Sequence, residues 1–285
     1  MQKKPFTSLY GFIKKISEIT NELASDEVLL FRGHSKQEYK LIPSVYRNKN
    51  HMDNEDVMIK ELISFYPDEF IDDSTSLERL IRAQHYGLPT RLLDVTWNPL
   101  VALWFTLSNP DSNGEVIVFK VKTDCIKYYD SDTASCLANL SFLNIKEKEE
   151  LIKHKDTLVN QNQPNQDLPQ LPSVTRLLHF IGAEKPHFIN RINYADLFSS
   201  LVIKSKMNNR RVSAQSGAFL LLGLDSKVND NPNKIIKTHT IKIAKDEGKR
   251  KIKEELESIS ITEAALFPDI SQTAKYLSEK YKLIC

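Results

Sequence analysis

Four segments of the sequence gather polar side chains beside apolar runs. The first is Phe31-Arg32-Gly33-His34-Ser35, followed by residues 41–47 (LIPSVYR). Arg32 follows the apolar run Val28-Leu29-Leu30-Phe31, which reads as a buried strand stopping at the Arg32-Gly33 turn. A guanidinium at the end of a buried strand needs a partner. A bound phosphate or carboxylate can serve, held bidentately. An internal ion pair can serve as well, and Asp94 is the candidate carboxylate for it. The second segment is residues 84–96 (QHYGLPTRLLDVT). It straddles a helix end and a strand with more hydrogen-bonding groups than a packed core needs, and each one must be satisfied. A bonded corner accounts for Arg91 and Asp94. His85 and Tyr86 suit a ligand equally well. The third is residues 208–219 (NNRRVSAQSGAF), where basic and amide groups lead into a strand of small residues. A solvated loop accounts for its arginines, whereas Gln215 stands where the strand begins. Gly217 allows close backbone approach. The fourth is residues 261–269 (ITEAALFPD). Leu266-Phe267-Pro268 reads as a docking segment, and Thr262 with Glu263 as a helix cap.

Other chemistries find no support. There is no H-E-x-x-H, and the seven histidines are scattered, so no metal site is expected. No G-x-S-x-G elbow occurs. Neither G-x-G-x-x-G nor G-x-x-x-x-G-K-[ST] occurs among the 8 glycines. Cys125, Cys136 and Cys285 are too few and too far apart for a disulfide scaffold. They fit a reducing cytoplasm. No apolar stretch is long enough to span a membrane, and the N-terminus has no secretory apolar core. With 39 basic and 37 acidic residues the net charge is +2, which excludes binding through bulk electrostatics and leaves local patches.

The positioning elements follow from periodicity. Residues 8–23 carry apolar groups at helical spacing, with Thr7 or Ser8 as cap. Residues 55–66 and 75–86 read as helices, the second ending at Gly87-Leu88-Pro89. Residues 90–96 read as a strand, and Asn98-Pro99 opens the helix LVALWFTL. Residues 115–121 read as a strand and residues 145–158 as a charged helix. Residues 161–173 (QNQPNQDLPQLPS) bury almost nothing and read as an exposed, mobile loop. Strands follow at 216–224 and 239–243, then helices at 249–258 and 270–283. Strands and helices mix without a regular βαβ alternation, so the expected class is α+β.

The four segments, in this order, resemble the FRG domain family. The resemblance rests on FRGHSKQEYKLIPSVYR, AQHYGLPTRLLDVTWNPLVALWF, RVSAQSGAFLL and ITEAALFPDI. It implies a single domain over 1–285, with a less family-like insertion at about 125–200. It also implies a bacterial setting of phage defence or toxin action. A more distant similarity is to ADP-ribosyltransferases. It implies a mixed, largely antiparallel (split) sheet flanked by helices. Those enzymes carry an Arg or His on a first strand, a Ser/Thr element before a helix, and a Glu-bearing later strand. Here Arg32, Thr96 and Gln215 fall at those places, with Gln215 standing where a Glu would. Glu263 is the nearest fallback.

On that resemblance, Arg32, Thr96 and Gln215 are the expected catalytic residues. Gly33, Gln84, His85, Tyr86, Arg91, Asp94 and Phe219 are expected to hold NAD. The expected reaction moves ADP-ribose from NAD to a macromolecule. RNA or DNA is one acceptor, reached through Lys204, Lys206, Arg210 and Arg211, and an antitoxin or other defence-system protein is an expected partner. The alternative is a non-catalytic module that recognises a nucleotide or protein through the same polar residues.

Overall fold

The computed structural model describes residues 4–160, 170–190, 192–206, 210–225 and 235–269, and positions 274, 277, 278 and 281. Seven strands form one mixed sheet in the order β4-β5-β6-β2-β1-β3-β7. They are β1 (Glu27–His34), β2 (Leu92–Thr96), β3 (Gly114–Lys122), β4 (Ile126–Tyr128), β5 (Ser200–Lys204), β6 (Gly217–Leu222) and β7 (Ile235–Ile243). Among the paired strands of the described residues only β4–β5 is parallel, and an isolated parallel bridge joins Phe6 to Ile243. The class is α+β, a largely antiparallel sheet flanked by helices, as expected.

Local chemistry explains most helix bounds. In α1 (Leu9–Thr20) the Ser8 hydroxyl accepts from Gly11 N–H. After α2 (Lys49–Asp53) and α3 (Glu55–Phe65) comes α4 (Ser76–His85), which starts on a reciprocal capping box of Thr75 and Glu78. It ends where Gly87 takes φ of 90°, open only to glycine at low cost. In α5 (Pro99–Phe105) Asn98 caps the helix and Pro99 fills the first turn. The remaining helices are α6 (Asp132–Asn139), α7 (Ile145–Asn160), α8 (Pro172–Glu184), α9 (Arg210–Ala214), α10 (Glu247–Ser258) and α11 (Glu263–Leu266).

Two expectations change. The strand expected to stop at Arg32-Gly33 runs on to His34, because β3 pairs with β1 all the way from Glu27↔Lys122 to His34↔Glu115. The Phe-Arg-Gly motif therefore lies inside a strand. Pro172 and Ser173, read as the end of a loop, already open α8. The rest of that loop, residues 161–169, lies outside the described residues, as does most of the expected helix at 270–283.

Strand register sorts the apolar side chains onto two faces. On one face, Leu92, Leu201, Ile203, Phe219 and Leu221 pack under α3, α4, α6, α7 and α8. On the same face, Leu29, Phe31, Val116, Val118 and Ile241 pack under α1, α5, α10 and α11. The opposite face holds a third core, including Leu30, Leu93, Val95, Ile117 and Leu220, against Leu41, Tyr46 and Trp97. The first two cores share one face but stay separate, so a seam runs between them above β1 and β2. Helix α5 seats at that seam by close approach to β1. A Cβ on Gly33 would lie 1.9 Å from the Ala102 carbonyl oxygen, so only glycine fits.

A buried ion cluster ties β2 to the helices. Arg91, 1% exposed, donates from Nε to Glu55 Oε1 at 2.9 Å and from Nη2 to Oε2 at 2.5 Å. Lys148 Nζ of α7 donates to the same Glu55 Oε2 at 2.7 Å. Burial works to raise the Glu55 pKa, but the attraction of Arg91 and Lys148 outweighs it and holds the carboxyl at about 2. Loss of one partner strands the others without compensation, at a cost of about 3–5 kcal/mol. Glu55→Ala is expected to destabilise the fold by that amount in urea titrations at pH 7. A depressed carboxyl stabilises above its unfolded value of 4.5 and loses that contribution as pH falls toward about 2. The penalty of Glu55→Ala should therefore shrink steadily below pH 4.5.

Candidate functional site

The seam opens into a cleft because β1 and β2 diverge. They share one register pair, Phe31↔Thr96. The backbone of β2 nevertheless demands a partner on that side. Leu222 N–H donates to Arg91 O at 3.2 Å and Trp97 N–H to Ser216 O at 3.1 Å. Alternation in an antiparallel ladder then turns the groups of Leu92, Asp94 and Thr96 away from β6 and toward β1. Arg32 fills the gap: its Nη1 donates to the Asp94 carbonyl at 2.5 Å. Its Nε donates to His34 Nε2 at 3.1 Å. An accepting Nε2 leaves the His34 proton on Nδ1, which faces Glu115 Oε1 at 3.3 Å.

Arg32 is half-buried and lines the cleft together with Phe31, Gly33, Asp94, Thr96, Phe105, Arg211 and Gln215. Desolvation pushes its pKa down, the Asp94 charge pulls it back up, and the Arg47 charge lowers it again. Among the described residues no carboxylate lies within ion-pair distance of it. The internal pair with Asp94 takes a different form: Arg32 bonds the Asp94 carbonyl, and the carboxylate is held elsewhere. Asp94 Oδ1 accepts from Gln84 Nε2 at 2.7 Å, and the Thr90 hydroxyl donates to Gln84 Oε1.

Thr96 and Gln215 meet in this cleft and are bound into its frame. The Thr96 hydroxyl donates to Gln215 O at 2.7 Å and accepts from Asn98 N–H at 3.0 Å, which starts α5. Gln215 Nε2 donates to Leu266 O at 3.0 Å. That bond docks the 266–268 segment over the cleft. Phe267 meets Phe105 edge-on at 5.9 Å, and the Arg211 guanidinium sits over the Phe267 ring at 4.9 Å. The third and fourth sequence segments thus come together as one wall. Phe105 was not among the expected residues, and the stacking of Arg211 on Phe267 was not anticipated, although each of those two was singled out. The (i, i+3) spacing of Ala102 and Phe105 was the available signal, since both fall on the α5 face that meets β1.

The other expected residues spread along a groove. The cleft at Arg32, about 110 Å³, shares Asp94, Arg211 and Gln215 with a hollow of about 80 Å³ that includes Gln84, His85 and Phe219. That hollow shares Ile81 and His85 with a third of about 230 Å³, walled by Arg82, Tyr86, Lys206 and Arg210. Each alone is below the roughly 300 Å³ at which ligand pockets begin, so a dinucleotide would need the whole groove. Tyr86 stands at the far end, 56% exposed, donating its hydroxyl to Glu69 at 2.6 Å. Arg91 does not reach the groove, because it is consumed by Glu55. Lys204 lies over Tyr128, Lys206 is ion-paired to Glu78 at 2.7 Å, Arg211 stacks on Phe267, and Arg210 is exposed at the groove wall. The described residues hold no group of three His, Cys, Asp or Glu able to bind a metal ion. No helix among them is long and apolar enough to cross a membrane.

Residues 27–115 match the FRG domain family. The FRG match takes in β1, α4, β2 and α5, and so Arg32, Gly33, Gln84, His85, Tyr86, Asp94, Thr96 and Phe105. The wall built from Arg211, Gln215 and Phe267 lies outside the FRG match. No curated protein and no solved structure matches the chain.

Arg32 makes two hydrogen bonds to protein and no ion pair among the described residues, so the fold gains little from its charge. Arg32→Met leaves the Asp94 carbonyl without its donor and is expected to lower the unfolding free energy by about 1–3 kcal/mol. Urea denaturation followed by circular dichroism measures this, and a much larger loss would make Arg32 a folding residue instead of a ligand anchor.

Proposed function

We propose that the groove binds NAD and that the protein transfers its ADP-ribose to a macromolecule. The observation that carries this reading is Arg32: a desolvated guanidinium, lacking a carboxylate partner, in a split between two strands. A pyrophosphate or a ribose hydroxyl pair suits its remaining donors. Phe105 at one hollow and Phe219 at the next supply apolar rings against which the nicotinamide or adenine can lie. The order Arg32, Thr96, Gln215 on β1, on β2 and just before β6 matches the strand order that the transferase resemblance implies. Scission of the nicotinamide–ribose bond develops positive charge on the sugar, and a groove that holds the two ends apart strains that bond toward rupture.

In this reading Gly33, Gln84, His85, Tyr86, Asp94 and Phe219 line the NAD groove, and RNA or DNA is the acceptor, drawn by Lys204, Lys206, Arg210 and Arg211. A toxin or phage-defence role follows from the family resemblance. One observation favours the second reading, a binding module without catalysis: Thr96 and Gln215 both direct their side-chain protons to backbone carbonyls.

Incubation with radiolabelled NAD and cell extract separates the two. Transfer of label with release of nicotinamide is expected, and Arg32→Ala should lower the rate by at least about tenfold, the loss of one charge-assisted contact. Binding by calorimetry with no nicotinamide released supports the binding module, and neither binding nor release overturns both readings. If nucleic acid is the acceptor, the Lys204/Lys206/Arg210/Arg211→Ala variant loses label on RNA or DNA while still releasing nicotinamide.

A further inference from the structure

The hollows around Arg32 contain one acidic side chain among the described residues, Asp94. Of the three carboxylates that line the outer hollow, Asp73, Glu78 and Asp269, two are ion-paired: Asp73 binds Arg82 in two bonds, at 2.7 and 2.9 Å, and Glu78 binds Lys206. Asp94 is different in two ways. It is exposed to the groove, and one oxygen is held by a directional chain of neutral donors. Leu92 N–H donates to Thr90 Oγ1 at 3.2 Å, the Thr90 hydroxyl donates to Gln84 Oε1, and Gln84 Nε2 donates to Asp94 Oδ1 at 2.7 Å. A hydroxyl donor on Gln84 Oε1 fixes which way that amide faces, so the nitrogen must point at Asp94. The chain orients the carboxylate without neutralising it. Oδ2 has no bond within the described residues.

Strand register sets Asp94 beside the reacting region. On the sheet face beneath the seam, Thr96 stands opposite Gly217 and Asp94 opposite Phe219. Gln215 lies two residues before Gly217 and cannot supply negative charge. We propose that Asp94 is the catalytic acid–base residue of the groove, its carboxylate facing the ribose of a bound nicotinamide dinucleotide. This rests on the NAD reading above. The C1′–N bond breaks with its electron pair passing to the nicotinamide nitrogen, which leaves as neutral nicotinamide. The cationic ribosyl carbon is stabilised by the Asp94 charge. An acceptor hydroxyl or amine then attacks C1′, and its proton passes to Asp94 and on to water.

The test uses the full-length protein with NAD as the probe. Asp94→Asn keeps the size of the side chain and an oxygen for Gln84 while removing the charge. It is expected to bind NAD within about threefold of the wild type by calorimetry and to release nicotinamide about 100-fold more slowly, the usual scale for one electrostatic stabiliser. A rate within about tenfold of the wild type overturns the assignment, as does a loss of NAD affinity equal to the loss of rate. If Asp94→Asn fails to fold by thermal melt, Asp94→Ser is measured by the same two readouts. A wild type that binds no NAD is the distinct failure of the underlying reading, and the proposal falls with it.

Discussion

The architecture depends on how one backbone carbonyl is satisfied where two central strands part. Asp94 O faces β1, yet β1 and β2 share a single register pair. In an unbroken ladder a main-chain N–H would meet that oxygen, and leaving it unbonded would carry a desolvation cost. The Arg32 side chain supplies the donor instead. The sheet can therefore open a cleft in its middle without an orphaned group on the lip. The same substitution draws a permanent positive charge into the opening, with no carboxylate at ion-pair distance among the described residues.

What holds the strands apart is packing. Two apolar cores on one sheet face meet at the seam over β1 and β2 without merging. The approach of α5 to Gly33, too close for any Cβ, seats one core firmly on β1. The Glu55–Arg91–Lys148 cluster seats the other on β2. Each strand is held by its own core, and the gap between them is left as a cleft lined by Phe31 and Phe105. Arg32 bridges it, and the 266–268 segment covers it through Phe267 and the Gln215 amide.

Much of this was legible in the residues. Periodicity and caps located α1, α3, α4, α5 and β3, because Ser8, Thr75 and Asn98 are local signals that tertiary packing leaves intact. The polar segments that meet in the cleft were also visible, since a half-buried arginine or glutamine beside an apolar run must have a purpose. The continuation of β1 through Arg32-Gly33 was not. Gly33 reads locally as a turn, whereas its role is set by a helix about seventy positions away. The split of labour between the two arginines was equally hidden. Arg91 and Arg32 look alike in sequence, but Glu55 and Lys148 claim one for the interior, and the cleft exposes the other. Gln84 looks like any helix-end amide until Thr90 and Asp94 bracket it.

The account makes the cleft, and Arg32 within it, the place where ligand free energy is taken up. Amide hydrogen exchange with and without saturating NAD tests this most directly, because it reports position along the chain whether or not turnover follows. Slowed exchange is predicted at residues 31–34, 94–96 and 211–217, the strand lips and the covering wall. Exchange unchanged there, or slowed only in the helices of the Glu55 core, would contradict the account.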